Sequence, residues 1–215
     1  MTKELEGLVI RVIDYKESSL IMYLLTDKKI ESIICKGIKK TNSKFKGYIL
    51  SYNYVKCIVT DSNFPTLTDI EVLYSLSNIQ NDLNKFKYAG NLINFLYKEK
   101  YENDKVYGLA IKTLKYINDS NEMYYYYVFL LKNLYFIGLG LNASNINKSE
   151  CLGYNIAEST VVTKSMSLDI DVDRINTLKI FEIYLSKIDE IIDINLDILK
   201  SFLTKYYYIH ASIKL

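Results

Sequence analysis

Lysines without opposing carboxylates mark the part of this sequence whose chemistry is easiest to interpret. No acidic residue occurs between Glu31 and Asp61. The lysines in that window are Lys36, Lys39, Lys40, Lys44, Lys46 and Lys56. All but the last lie between Lys36 and Gly47, beside the side chains of Thr41, Asn42 and Ser43, which can donate hydrogen bonds to phosphate oxygens. This segment, the lysine loop, predicts a groove for a nucleic acid strand. A solvated loop without a ligand is the alternative.

Aromatic residues are interleaved with and follow these lysines, at Phe45, Tyr48, Tyr52 and Tyr54. Aromatic rings can stack on unpaired bases, but alternate residues of a strand must also fill the interior of a sheet. The tyrosine runs at 124–127 and 206–208 are interpreted as packing residues, because tyrosine is abundant throughout this chain.

Catalytic and metal-binding patterns are missing from the sequence. It contains neither the phosphate loop GxxxxGK[ST] nor the dinucleotide fingerprint GxGxxG. Its single histidine, His210, lies near the C-terminus, where a solvent-exposed or packing role is favoured over a catalytic one, and one histidine cannot build a histidine cluster. Asp169, Asp171 and Asp173 alternate before a predicted helix, where carboxylates commonly cap the helix. We therefore expect no enzyme activity, no cofactor, no metal and no small-molecule substrate.

The composition is that of a folded protein. Of 215 residues, 49% are hydrophobic and 24% charged, and the net charge is +2. The positive surplus lies in residues 1–80, with 11 Lys+Arg against 9 Asp+Glu. Three distant cysteines, no signal-peptide pattern and no long charge-free apolar run predict a cytoplasmic protein with reduced thiols and no membrane contact.

Short β-branched and apolar runs separated by polar turns predict five strands in the first 75 residues. They are Leu5–Ile13, Leu20–Leu25, Ile30–Cys35, Tyr48–Thr60 and Leu67–Leu73. Several are apolar on both faces, which favours a closed and covered barrel. Five strands in this length suit an OB-type barrel.

Beyond residue 78 the apolar spacing becomes that of helices. Stripes run from Ile79 to Tyr97 and from Val106 to Ile117, and a buried helix is expected from about Asn121 to Ile137. Residues 141–170 lose this spacing and contain two short strand-like runs, Asn155–Ala157 and Val161–Thr163. Helical spacing returns from Ile175 to Ile192 and from Ile194 to Tyr206. The prediction is an α+β chain with an OB domain at 1–77, a helical domain at 78–215 and an insert at 141–170.

An ordered series of short motifs in the first 45 residues resembles the RecO recombination-mediator proteins of bacteria. The motifs are Glu6–Arg11, Tyr15–Ser18, Leu24–Thr26 and Lys36–Lys40, followed by Ser43 and Lys44. The resemblance implies a DNA-binding OB domain, a helical domain, annealing of complementary strands and help in loading recombinase onto DNA coated by single-strand-binding protein. It also implies that single- and double-stranded DNA, single-strand-binding protein and RecR are partners.

The resemblance assigns DNA contacts to the basic residues inside the matched motifs. These are Arg11, Lys16, Lys36, Lys39, Lys40 and Lys44. Many relatives carry two CxxC pairs in the insert, whereas Cys151 stands alone here. Because a tetrahedral thiolate site needs four ligands, we expect a zinc-less insert held by packing.

Two other functions stay open from the residues. One is an OB-type RNA-binding protein, which would use the same loop. The other is a helical protein-interaction adaptor in which the basic loop is incidental.

Overall fold

A computed structural model describes residues 1–40, 43–45, 47–98, 104–142 and 147–215. The chain forms two compact units, Met1–Ser120 and Asn121–Leu215. The change from strands to helices occurs between residues 75 and 77, as the sequence predicts. The functional division at 77/78 stays a prediction.

The first unit begins with a five-stranded antiparallel sheet in the order β3-β2-β1-β4-β5. The strands are β1 Thr2–Tyr15, β2 Ser19–Leu25, β3 Ile30–Cys35, β4 Asn53–Thr60 and β5 Leu67–Ser75. The first half of β1 pairs with β4 and the second half with β2, so this long strand bends around the core. Gly7 permits the bend, since a Cβ there would overlap the carbonyl oxygen of Leu25.

The sheet curls until β3 meets the beginning of β5. The Ile34 N–H donates to the Pro65 carbonyl oxygen at 2.8 Å, and Ile34 forms a parallel bridge with Thr66. This order, with β3 beside β5, is that of a partly open OB barrel, so the predicted α+β fold class is confirmed. Its interior is filled by apolar side chains that include Val9, Met22, Leu24, Ile33, Cys35, Val55 and Cys57.

Three helices complete the first unit: α1 Ser77–Asn81, α2 Leu83–Lys98 and α3 Asp104–Asp119. The predicted single stripe from Ile79 to Tyr97 is therefore two helices. The chain breaks at Asp82, whose Oδ1 accepts from the N–H groups of Asn84 and Lys85 at 2.8 and 3.0 Å and so begins a new helix.

The second unit contains α4 Glu122–Phe136, β6 Cys151–Asn155, β7 Thr160–Thr163, β8 Val172–Asp173, α5 Arg174–Leu185 and α6 Leu196–Ala211. Ten residues of α4 are buried, which confirms the predicted buried helix. Lys132, in its middle, directs its ammonium at the carbonyl oxygens of Ile183 and Ser186, at 2.8 and 2.6 Å, and so satisfies the end of α5. In the described part of the chain, no helix combines the length and hydrophobicity needed to cross a bilayer.

Within the second unit, the insert packs against α5 and α6 through Tyr154 and forms several hydrogen bonds. Tyr154 packs edge-on against Phe181 and Phe202, each at 5.7 Å between ring centroids. The Ile156 N–H donates to Asp171 at 2.8 Å, and the Ile156 carbonyl oxygen lies 2.6 Å from His210 Nε2. These bonds hold residue 156 in a turn, so the predicted strand Asn155–Ala157 is wrong apart from Asn155, which is the last residue of β6.

Two other predicted element bounds are wrong. The strand predicted from Tyr48 begins only at Asn53, because the chain turns at Tyr52, whose φ is +69°. The helix predicted to continue to Ile192 ends at Leu185. Ile188 and Ile194 are nevertheless buried, so an irregular segment satisfies the apolar spacing there.

Candidate nucleic-acid interface

The tight turn between β1 and β2 meets the lysine loop at one end of the barrel. Lys16 occupies the left-handed region with φ +54°. The backbone N–H of Lys39 donates to the Ser18 carbonyl oxygen at 3.0 Å. The structure thus brings together Lys16 and Lys39, two predicted contact residues from separate motifs.

The lysine loop is anchored to the barrel by apolar side chains. Ile38 is 2% exposed, and Phe45 packs against the same core from the other side of the loop. Gly37, with φ +67°, starts a turn in which the Lys40 N–H donates to the Gly37 carbonyl oxygen at 3.2 Å. The side chains of Lys36, Lys39 and Lys40 therefore project from a backbone that is held in place around Gly37 and Ile38. Thr41, Asn42 and Lys46, also predicted here, lie outside the described residues.

The lysines of the loop differ in whether a carboxylate or an aromatic ring already contacts the ammonium group. Lys39 Nζ lies 2.7 Å from Asp14 Oδ1, an exposed ion pair. Lys44 Nζ lies over the Phe45 ring at 4.7 Å, which keeps its charge available. Within the described ranges, the exposed side chains of Lys36 and Lys40 have no carboxylate partner. Solvent-exposed lysines of this kind can exchange counterions for phosphates.

Lys56, the last lysine of the acid-free window, does not belong to the loop. It lies on β4, where its ammonium contacts Glu4 at 3.0 Å. The hydrogen bond and charge of Glu4 raise the pKa of Lys56. Its charge is therefore matched by an acid from β1, a neighbour that the sequence window did not reveal.

Arg11 lies apart from the loop, on the outer surface of the barrel. It pairs with Tyr23 across β1 and β2, and Tyr23 pairs with Ser32 across β2 and β3. The alternate positions Val12, Met22 and Ile33 pack in or against the core. Arg11, Tyr23 and Ser32 consequently form a row on the outer face, which the sequence reasoning missed apart from Arg11.

The structure separates the aromatic residues near the lysine loop into exposed and packed rings. Tyr48 is 44% exposed, whereas Tyr52 is buried, and burial raises the pKa of Tyr52 to about 12. Tyr54 stacks on Tyr74 at 4.7 Å and exchanges a hydrogen bond with Tyr107 at 3.0 Å. Of the four candidates, Tyr48 alone presents an exposed ring beside the loop, because Phe45 packs against the core.

Residues outside the barrel that resembled functional groups have structural roles. Asp173 caps α5, as predicted for this carboxylate cluster, by accepting from the Ile175 and Asn176 N–H groups at 3.0 and 3.2 Å. His210 packs on Tyr206 with 4.5 Å between ring centroids. The described residues contain no group of three Cys, His, Asp or Glu side chains placed to hold a metal ion.

Comparison with known proteins finds a family match over the residues that form the barrel. Residues 1–76 match the family model described as recombination protein O N terminal. The chain is 28% identical over 125 residues to the DNA repair protein RecO of Halalkalibacterium halodurans, covering 55% of this chain and 49% of the relative. It is 30% identical over 123 residues to the RecO of Bacillus pumilus, covering 54% and 48%. It is 29% identical over 128 residues to that of Bacillus subtilis, covering 57% and 50%.

These matches confirm the resemblance carried by the motifs of the first 45 residues. The chain spans about half the length of the curated relatives it matches. The match includes the whole barrel and the lysine loop, the part of the molecule in which the candidate interface lies.

Proposed function

We propose that this chain, whose residues 1–76 match the family model of the RecO N-terminal domain, is a DNA-binding recombination mediator in DNA repair. It anneals complementary strands and assists recombinase loading on DNA coated by single-strand-binding protein, with RecR as a further partner. It does so by binding, without a catalytic group. The relatives it matches are named DNA repair proteins.

The observation that carries the proposal is the anchored lysine loop. Lys36, Lys39, Lys40 and Lys44 project from a loop whose backbone is tied to the barrel by Ile38 and by the Lys39–Ser18 hydrogen bond. Because the backbone at Ile38 and Lys39 is already held, binding of phosphates needs little ordering there, and neutralisation of the phosphates removes the repulsion between two strands. Annealing requires this charge together with accessible bases, and neither a nucleophile nor a general base is needed.

Charge reversal in the loop tests the proposal. We expect K36E, K39E, K40E and K44E together to abolish most single-strand binding and annealing without unfolding the protein, because these side chains lie at the surface. Each phosphate contact on a single strand contributes about 0.7 to the slope of log affinity against log salt, so four contacts give a slope of about 3. Fluorescence anisotropy with labelled oligonucleotides measures both quantities.

The second unit supplies a matched control. Lys164, Lys187, Lys200 and Lys214 are also exposed, and reversing them changes the net charge by the same amount. Binding should fall far less in that variant. If the loop variant keeps wild-type affinity and salt slope, the loop is not the DNA site.

Two other outcomes would favour the alternative functions. A preference for ribo- over deoxyoligonucleotides would favour RNA as the target, and no oligonucleotide binding at low salt would favour a protein-binding adaptor.

A further inference from the structure

Helix α2 is apolar on two faces, and only one of them is buried in the described structure. The buried face consists of Ala89, Leu92, Ile93, Phe95 and Leu96. On the other side of the helix, Leu83, Phe86 and Tyr97 are 83%, 50% and 59% exposed. A single exposed apolar residue is ordinary, but three that follow one side of one helix form a contiguous surface of the kind that marks an interaction site.

Gly90 lies in the middle of this exposed face. Because seven residues make almost two turns, Leu83, Gly90 and Tyr97 follow one another along a single ridge. A Cβ at Gly90 would find no atom within 4 Å, so the backbone of α2 is open to an approaching chain at that point. Glycine weakens a helix relative to alanine, and in the described structure no positive φ or close neighbour requires it here. A ridge that is large at both ends and small in the middle fits the close approach of a second helix.

We propose that this face is the interface between two copies of the chain, whose α2 helices pack antiparallel and cross at Gly90. The ridge is complementary to itself about that residue, because Leu83 and Tyr97 lie seven residues to either side of it. In a pair related by a two-fold axis, Leu83 of each copy meets Tyr97 of the other, and the two glycines lie at the closest approach.

The flanks of the ridge favour the antiparallel orientation over the parallel one. Phe86 and Ile93 lie on one side of the ridge. Two polar residues, Lys87 and Asn94, lie on the other side and are exposed. In an antiparallel pair each flank meets the same flank of the partner in reverse order, so Phe86 meets Ile93. Lys87 likewise meets Asn94, so two like charges are not opposed there. A parallel pair would instead place Lys87 against the apolar flank.

The interface lies next to the segment that follows the lysine loop. Phe86 packs edge-on against Tyr52, with 5.7 Å between ring centroids, so its ring is held before a partner arrives. In α1, just before α2, Gln80 donates to the Ser51 carbonyl oxygen at 2.7 Å. Each copy therefore brings its own lysine loop to the dimer. In a consequence that rests on the proposed function, two such loops bring two complementary strands together, as annealing requires.

One pair of helices makes a small interface. Helix α2 has 16 residues, and such a pair buries less area than a standard interface of roughly 1,600 Å². We therefore expect a reversible dimer that forms at micromolar concentrations of the full chain. Analytical ultracentrifugation over a series of concentrations measures its dissociation constant.

Replacing Gly90 tests the interface without damaging the fold. The Cβ of a glutamine at this position meets no atom of the chain, and glutamine is the better helix former, so the urea midpoint of G90Q should not fall. The new side chain occupies the point of closest approach. We expect the dissociation constant of the dimer to rise at least about tenfold. L83E changes the most exposed residue of the ridge and should have the same effect.

Gly108 supplies the matched control. It is an exposed glycine of α3, and a Cβ there would also find no atom within 4 Å. G108Q should therefore dimerise as the wild type does. Two results would overturn the inference. One is a wild-type mass of a single chain, 25.1 kDa, at about 100 μM, where even a weak dimer forms. The other is a dissociation constant of G90Q and L83E equal to that of the wild type.

Engineered cysteines test the orientation of the two helices. The three cysteines of the chain are buried and do not compete. When L83C and Y97C proteins are mixed under mild oxidation, a disulfide should join one variant to the other, because the antiparallel pair places these positions opposite each other. A disulfide that joins L83C mainly to itself would overturn the antiparallel arrangement.

The inference and the proposed function fail separately. G90Q should keep the single-strand affinity of the wild type, because the lysine loop is unchanged, and should anneal complementary strands more slowly. If the wild type dimerises but binds no oligonucleotide at low salt, the proposed function is wrong and the interface stands. If G90Q is monomeric and anneals as fast as the wild type, the role of the dimer in annealing is wrong.

Discussion

Asp14 distinguishes Lys39 from the other lysines of its loop. The two charged groups are 2.7 Å apart, and the Asp14 side chain is 81% exposed. An exposed pair of this kind contributes little to folding, about 0–1 kcal/mol. A phosphate approaching Lys39 meets the carboxylate as a competitor for the same ammonium. We therefore expect Asp14 to lower the contribution of Lys39 to DNA binding while adding little to the stability of the barrel.

Removing that competitor should strengthen binding. We expect D14N to raise single-strand affinity by about two- to fivefold at low salt, with the gain shrinking as salt screens the charges. Anisotropy titrations at several salt concentrations measure the effect, and E158Q, which removes an exposed acid of the second unit, serves as the control. Equal affinity of D14N and the wild type at low salt would place Lys39 outside the DNA contact.

The three cysteines illustrate which properties of a single residue can be predicted from the sequence. Their spacing predicts reduced thiols, and in the structure none of the three forms a disulfide and all three are buried. Burial raises the pKa of the Cys35 and Cys57 thiols to about 12. Their role as barrel core could be read from the apolar strands that contain them. The pairing of Lys39 with Asp14 could not be predicted from the sequence, because it depends on two loops that meet only in the folded chain.

At the scale of elements, local sequence patterns predict which helices and strands exist better than they predict where each one begins and ends. The strand Ile30–Cys35 has the predicted bounds because its apolar run stops at a charged residue and a glycine. Two helix ends are instead satisfied by distant lysines. Lys85 directs Nζ at the carbonyl oxygens of Ile117 and Ser120, both at 2.8 Å, and Lys132 does the same for α5. The sequence shows these lysines but not the carbonyl groups they meet.

The N-cap of α5 gives a prediction with a defined pH dependence. The Asn176 side-chain amide and the α5 backbone N–H groups lower the pKa of Asp173. A carboxyl with a lowered folded-state pKa stabilises the fold above its unfolded value, near 3.9, and this contribution is lost as pH falls through the folded value. We expect D173A to lower the free energy of unfolding by about 0.5–2 kcal/mol at pH 7.

Comparison with D173N isolates the charge. Asparagine is also a good N-cap, so D173N should lose less than D173A at pH 7. Urea unfolding from about pH 5 to pH 3 should show the wild type converging on D173N, since the other carboxyl groups titrate in both proteins. A constant difference across that range would mean that the Asp173 charge does not contribute to stability.

At the scale of the whole molecule, the first unit includes more than the barrel. The helices α1–α3 cover the outer surface of β4 and β5 at the end that carries Tyr54 and Tyr74, while Ile58 farther along β4 stays 39% exposed. Tyr54 bonds to Tyr107, Lys115 lies 4.4 Å from the centre of the Tyr74 ring, and Gln80 donates to the Ser51 carbonyl oxygen at 2.7 Å. Strands apolar on both faces predicted such a cover. The sequence could not show that it ends near residue 120, because the helical spacing continues beyond that point.

This cover predicts how fragments of the chain behave. We expect residues 1–120 to fold cooperatively, and residues 1–77 to keep a β-rich circular dichroism spectrum with a clearly lower urea midpoint. The reason is that cutting at 77 exposes the aromatic surface of β4 and β5 and breaks the Tyr54–Tyr107 hydrogen bond, while the core of the barrel stays intact. The Y107F variant of the longer fragment serves as the control for that single bond, and its free energy of unfolding should fall by only about 1 kcal/mol.

Equal urea midpoints for the two fragments would show that the helices do not stabilise the barrel. A predominantly helical spectrum for residues 1–77 would show that the strands depend on the helices to form.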